Sequence, residues 1–152
     1  MMDAIAAEDR TRHAVEGAWS MARRHVIRWA ECDMYAHVNH AAYCTLFEDM
    51  RVASWLELGG SFGMTDAGPV VGTLEIKYLR PASFNDRVLL TARFASLRRT
   101  SFVQEYAMWR DGLICQARAL CVVISNASGE KIAIPPEMRR ILVEQHGATE
   151  ES

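Results

Sequence analysis

The sequence predicts an α+β domain in which one long helix is followed by an antiparallel sheet. Three observations carry this. Apolar residues recur at helical spacing from residue 40 to Leu58 and stop at Gly59-Gly60, the usual punctuation of a helix C-terminus. Beyond it, four consecutive segments at roughly 70–80, 86–97, 100–110 and 113–125 carry strand patterns. Asp111-Gly112, between the last two, is a strong hairpin signal.

Taken in order, residues 1–22 combine helix-forming composition with a mixed polar pattern and read as an N-terminal extension, peripheral or mobile. The domain proper is expected over 23–145, and 146–152 form a C-terminal tail. His25 to Trp29, H-V-I-R-W, alternates with β-branched and aromatic residues and predicts a first strand leading into Asp33. Asn39 or His40 then opens the helix. On it Tyr43, Leu46, Phe47, Met50 and Ala53 share one face, and Val52 and Trp55 make a second apolar facet beside Glu48, so burial on more than one side is expected. The glycine-rich stretch 59–69 reads as a mobile loop. In the third of the later strands Phe102, Gln104, Tyr106 and Met108 face one way and Val103, Glu105, Ala107 and Trp109 the other. Pro81 and Pro135-Pro136 fall outside the strands, where they interrupt no ladder.

At 152 residues, half of them apolar, the chain has enough material for one core without disulfides or metals. A formal charge of −2 and a pI near 6.2 leave no basic density for nucleic acid. Cys32, Cys44, Cys115 and Cys121 show neither C-x-x-C spacing nor histidines at zinc spacing, and read as reduced core thiols. No stretch approaches the roughly 18 apolar residues of a membrane span. The N-terminus carries acids where a secretory signal carries bases, so a cytoplasmic location is expected.

The chemistry concentrates between Glu31 and Tyr43, E-C-D-M-Y-A-H-V-N-H-A-A-Y. Asp33 stands seven residues ahead of His40 at the helix start, an awkward distance for a direct cap. Such a carboxylate can attack an electrophile or take a proton from water. The first N–H groups of the helix lack intrahelical acceptors and sit at the positive end of its dipole, a ready oxyanion site. His37 and Asn39 can orient water or hold Asp33 ionised. The blander readings are a loop histidine and a capping asparagine, and the His40 side chain reads equally as a surface histidine at a cap.

This segment resembles the signature D-x-x-G-H-V-N-N-x-x-Y of the hotdog-fold acyl-CoA thioesterases of the 4-hydroxybenzoyl-CoA thioesterase type. It matches at Asp33, His37, Val38, Asn39 and Tyr43, with Ala36 where Gly is usual and His40 where Asn is common. V-V-G-T at 70–73 and L-R-R-T-S-F-V-Q at 97–104 resemble further stretches of that subgroup, and the likeness runs over residues 25–142. The resemblance implies a hotdog fold, an antiparallel sheet wrapped around a long central helix. It implies hydrolysis of an acyl-CoA or carrier-bound thioester, aromatic or fatty, with coenzyme A as part of the substrate and no metal or redox cofactor. Asp33 is then nucleophile or general base, and the His40 backbone N–H is the oxyanion donor with those of Ala41 and Ala42 close behind. His37 is a supporting catalytic residue, although in the 4-hydroxybenzoyl-CoA subgroup its position is apolar. Tyr43 is assigned to the substrate, Glu48 to a polar group of the acyl chain or else to solvent, and Thr73 to the pocket across a subunit interface or else to an ordinary strand position. Arg98, Arg99 and Thr100 are assigned to the coenzyme A phosphates, which guanidinium groups bind in bidentate fashion, the plainer reading being a solvated edge. A long exposed strand edge would be an association hazard, so a homodimer at least, and a homotetramer, is expected, with the site at the dimer interface. Two rival readings remain: a hotdog hydratase or dehydratase using His37 and His40 with Asp33, and a non-catalytic acyl-binding module.

Overall fold

In the computed structural model, which describes residues 3–152, the chain runs α1 (Ala7–His13), β1 (Met21–Val26), α2 (His40–Glu57), β2 (Ala67–Tyr78), β3 (Arg87–Leu97), β4 (Ser101–Trp109), β5 (Leu113–Ser125), α3 (Pro136–Glu144) and β6 (Thr149–Glu150). The first five strands form one antiparallel sheet in the order β1-β3-β4-β5-β2, and β6 pairs in parallel with the end of β3. The four strand segments read from the sequence fall on β2 to β5. Asp111 and Gly112 turn β4 into β5 with φ of +49° and +107°, the positive values such a tight turn requires.

The first strand lies earlier than its pattern suggested. β1 ends at Val26, and Trp29–Glu31 form a short 3₁₀ turn instead. The Glu31 carboxylate accepts the Arg28 N–H at 2.8 Å and meets the His25 ring at 2.9 Å, which draws the chain out of the extended state before Trp29.

Alternation along the strands separates two faces. On one, Leu90 and Phe94 of β3, Phe102, Tyr106 and Met108 of β4, and Cys115, Ala119 and Cys121 of β5 bury against Leu46, Phe47, Met50 and Trp55 of α2. Phe47 stacks on Tyr106 at 5.3 Å and Trp55 on Phe102 at 6.4 Å. The buried stripe of α2 differs from the expected one at two positions. Ala53 is half-buried and Val52 exposed, while Ser54 is buried because its hydroxyl finds partners there. The Gln104 amide donates to Ser54 Oγ at 2.8 Å, Ser54 Oγ donates to the Met50 carbonyl at 2.7 Å, and the Tyr106 hydroxyl donates to Gln104 Oε1 at 2.8 Å. A satisfied polar chain thus ties β4 to α2 inside an otherwise apolar layer.

On the opposite face Leu89, Ala107 and Trp109 pack with Ile5, Val15 and Trp19. The segment before β1 covers the β3-β4 part of this face, with Trp19 edge-on to Trp109 at 6.0 Å and the Arg93 guanidinium 4.4 Å over the Trp19 ring. β2 is an edge strand that shows Val70, Val71, Leu74 and Tyr78 to solvent, with a register break between Val71 and Thr73. The glycine-rich loop after α2, expected to be mobile, is tied at several points. Asp66 Oδ2 accepts from the Ser61 hydroxyl and the Gly63 N–H, both at 2.7 Å, and Asn126 donates to the Gly63 carbonyl at 2.9 Å. Gly60 lies so close that a Cβ there would come within 2.3 Å of the Trp55 indole nitrogen.

All four cysteines are free. Only Cys115 and Cys121 are core residues, and burial pushes their thiols up to about 12 and about 11; Cys32 and Cys44 are half-buried.

Because the Gln104 amide is buried, removing one of its partners strands a polar atom. Tyr106→Phe should lower the unfolding free energy by about 1–3 kcal/mol in denaturant titration, with the m-value unchanged. A neutral effect would mean that the polar chain does not hold α2 to the sheet.

Candidate active site

Asp33 opens a tight turn. Its N–H donates to the His37 carbonyl at 2.9 Å, its carbonyl accepts from Ala36 at 3.0 Å, and its Oδ1 accepts the Tyr35 N–H at 2.8 Å. One carboxylate oxygen is therefore spent on the turn, as Asp often is, and Oδ2 is left for other work. Ala36 sits at φ +60°, the left-handed region that explains why Gly is usual at this place in the signature. The turn is anchored to the connection between β2 and β3 by the Val38 N–H on the Ala82 carbonyl at 2.7 Å and by a bridge between His37 and Ser83.

The helix start follows at once. Asn39 is the N-cap: its Oδ1 accepts the Ala41 N–H at 2.8 Å, and its carbonyl accepts the Ala42 N–H at 2.9 Å. Of the three N–H groups expected to offer an oxyanion site, those of Ala41 and Ala42 are thus taken. The His40 N–H has no acceptor among the described residues. The Tyr78 hydroxyl of β2 donates to the His40 carbonyl at 3.2 Å, fixing this first turn to the edge strand. Tyr43 is 3% exposed and packs edge-on to Tyr78 at 5.2 Å. Burial pushes its phenol up to about 12, so it is a neutral wall residue rather than a base.

Glu31, which the sequence did not single out, organises all of this. At 6% exposure it receives the Arg28 N–H, two bonds from the Arg28 guanidinium at 2.7 and 3.0 Å, and the His25 ring. Burial pushes its carboxyl up, but the Arg28 backbone bond and the His25 and Arg28 side chains together hold it below the ordinary value of 4.5. Its carbonyl accepts the Asn39 N–H at 2.7 Å, so the residue two before Asp33 also positions the cap of α2. The only sequence signal for it was an acid two places ahead of Asp33.

The remaining expected residues are scattered. The rings of His37 and His40 are exposed and make no hydrogen bond among the described residues. The Glu48 side chain is 62% exposed, 3.9 Å from Arg51. Both border a hollow of about 380 Å³ between α2 and β2, with Val52, Phe62, Pro69, Val70 and Val71. Thr73 is not there. The break at Gly72 turns it to the face away from α2, where it borders a hollow with Glu75, Arg118 and Leu120. Arg98, Arg99 and Thr100 form the β3-β4 turn, whereas the Asp33 turn lies by the connection into Arg87 at the other end of β3. The 11 residues of β3 separate the two ends by roughly 33 Å at about 3.3 Å per residue. Arg98 is paired there with Glu151 at 3.2 Å, and Arg139, another residue not foreseen, holds the Arg98 carbonyl at 2.6 Å. One protomer does not bring these arginines to Asp33. Among the described residues no group of three His, Cys, Asp or Glu side chains is placed to hold a metal ion, and no helix is long and apolar enough to cross a membrane.

A family model described as the Thioesterase-like superfamily matches residues 27–142. The chain belongs to this superfamily. The match begins just before the Asp33 turn and ends in α3, so it takes in the turn, the cap of α2 and the hollow between α2 and β2. Solved structures agree with this fold. A thioesterase superfamily protein from Jannaschia sp. CCS1 is 24% identical with a TM-score of 0.86, covering 97% of this chain and 96% of that one. A thioesterase from Thermus thermophilus, complexed with coenzyme A and Zn, is 23% identical with a TM-score of 0.72 over 85% and 96% of the two chains. A 1,4-dihydroxy-2-naphthoyl-CoA thioesterase from Synechocystis is 15% identical with a TM-score of 0.72 over 81% and 95%. No curated protein sequence matches the thioesterase-like chain.

The local geometry can be probed at Glu31 and at Ala36. Glu31 is held below its ordinary value in the folded state, so its contribution to stability is present above pH 4.5 and is lost as pH falls through the folded value. The stability gap between the wild type and Glu31→Gln should be widest near neutrality and shrink in unfolding titrations at about pH 3. A gap independent of pH would place the ionisation elsewhere. Ala36→Gly should raise stability by about 1 kcal/mol by removing the left-handed strain of a Cβ, read as a higher unfolding midpoint. A loss would show that the strain is absent.

Proposed function

We propose that the chain hydrolyses acyl thioesters of coenzyme A, or of a carrier, to a free acid and a thiol. The observation that carries this reading is the single open N–H, that of His40, at the positive end of α2 just beyond the Asp33 turn. The thioester carbonyl oxygen accepts this N–H, which stabilises the negative charge that develops on attack. Asp33 Oδ2 takes the proton of the attacking water, or attacks the carbonyl itself to give a mixed anhydride that water then opens. In either route the C–S bond breaks, the sulfur leaves as thiolate and is protonated, and the acyl carbon keeps the oxygen.

The superfamily and the neighbours described as thioesterases support the reaction class, and the neighbour complexed with coenzyme A supports that thiol. The acyl chain is assigned to the hollow beside Glu48, Arg51 and Phe62, with the Tyr43-Tyr78 pair as a wall. We take the arrangement to be a hotdog fold whose helix the sheet wraps. Two copies pair through β2, so that the hollow of one protomer is closed by the other. Arg98, Arg99, Thr100 and Thr73 then contribute only to a site shared between protomers. His37, with an exposed ring beside the turn, is proposed to guide water rather than to transfer protons, so no observation favours the hydratase reading.

Asp33→Asn preserves the oxygen that accepts the Tyr35 N–H and should leave the turn folded. On the best thioester of a panel of short, long and aromatic acyl-CoAs it should lower kcat by roughly two to four orders of magnitude. A variant keeping more than about a tenth of wild-type turnover sinks the role of Asp33.

A further inference from the structure

We propose that the cleft between α1 and the β1-β3 edge is a phosphate-binding site. It has a volume of about 180 Å³ and is lined by Arg12, His13, Arg24, His25, Val26, Arg87 and Val88, with no carboxylate among them. Arg12 and Arg24 are each paired with a carboxylate that does not line the cleft, Arg12 with Glu8 at 2.9 Å and Arg24 with Asp9 at 2.9 Å. These pairs fix the two guanidinium groups while consuming their charge. Arg87 differs: it pairs with no carboxylate among the described residues, so its charge is available to a ligand. His13 supplies a second, independent observation. It is 4% exposed, its ring makes no hydrogen bond among the described residues, and it borders the cleft. The one fully buried side-chain nitrogen without a partner among the described residues is His146 Nδ1, so the His13 ring keeps accessible nitrogens that a ligand in the cleft can meet. An anion with several acceptor oxygens would satisfy that ring and the Arg87 fork together.

The position fits a phosphate ester better than an isolated ion. His25, in the cleft wall, meets Glu31 at 2.9 Å, and Glu31 stands two residues before Asp33, so cleft and catalytic turn share one framework. The basic step at Arg98 and Arg99 lies at the far end of β3 and has Arg98 engaged by Glu151. The same chemistry has two sources: the nucleotide end of coenzyme A, which rests on the thioesterase reading above, or a free phosphorylated effector.

Calorimetric titration of the full chain with coenzyme A and with inorganic pyrophosphate tests this. Comparison proteins are Arg87→Ala, at an exposed strand end where folding is not at stake, and Arg140→Ala, at an exposed arginine of α3 paired with Glu137 and Glu144. Arg87→Ala should weaken pyrophosphate binding by about ten- to a hundred-fold, the scale of charge-assisted hydrogen bonds, and Arg140→Ala should not. An equal loss for coenzyme A assigns the site to the substrate. It should then be joined by a higher KM on acyl-CoA but unchanged kinetics on a thioester lacking the nucleotide. A loss for pyrophosphate alone assigns the site to a free effector. Binding that is insensitive to Arg87, or absent for both probes at millimolar concentration, overturns the proposal. Arg87-dependent binding without thioester turnover would instead sink the hydrolase reading and leave the cleft standing.

Discussion

The burial of one helix face against one sheet face is the constraint from which the rest follows. An 18-residue helix gains little from its own propensity, and α2 carries β-branched and aromatic residues that propensity alone does not favour. What holds it is Phe47 on Tyr106, Trp55 on Phe102 and Met50 beneath them. The Ser54-Gln104-Tyr106 chain adds direction to that apolar contact, because a slide of α2 along the sheet would leave buried polar atoms unpaired. With α2 fixed in register, its first turn meets Tyr78, and the cap geometry that frees the His40 N–H is determined.

Much of this was legible in the sequence because it is written in local terms. The strands β2 to β5 announce themselves by alternation and by the Asp111-Gly112 turn, and α2 by its apolar spacing and its glycine stop. Asp33, Asn39 and His40 were legible because turns and caps are built from neighbours in the chain. The errors have a common cause, since each depended on a contact distant in sequence or on a single-residue slip. The first strand was placed too late because nothing local revealed that the Glu31 carboxylate turns back to His25. Ala53 was chosen over Ser54 because the hydroxyl's partner, Gln104, lies on another element. Thr73 lies on the face away from α2 because one extra residue at Gly72 inverts the alternation after it, which no local pattern in the sequence announces. The distance between Asp33 and Arg98 is a property of strand direction, which composition does not contain.

The segment ahead of β1 changes the character of the sheet's second face. Trp19, Ile5 and Val15 convert part of the β3-β4 portion into a second small core, while beside it a charged row crosses the sheet, Glu105 of β4 linking Arg93 of β3 and Arg118 of β5 at 2.7 Å each. The same segment brings Arg12 and His13 beside β1, a juxtaposition that no reading of the domain alone would supply. The segment itself lies outside the residues matched by the superfamily, which begin at residue 27, while the residues it packs on, Leu89, Ala107 and Trp109, lie within them.

The two edges of the sheet are unequal. β1 is six residues long, carries Arg23 and Arg24, and is flanked by α1, while β6 continues the same edge along β3. β2 is 12 residues long, apolar at Val70, Val71 and Leu74, and has no neighbour on its outer side among the described residues. A sheet adhesive at both ends would add copies without limit and grow into a fibre, because each new copy would offer a fresh end. Here one end is guarded and the other is not. On the proposed pairing through β2, growth ends after a single addition, because the pair would be closed by a two-fold axis and the guarded edge would act as a chain stopper against polymerisation.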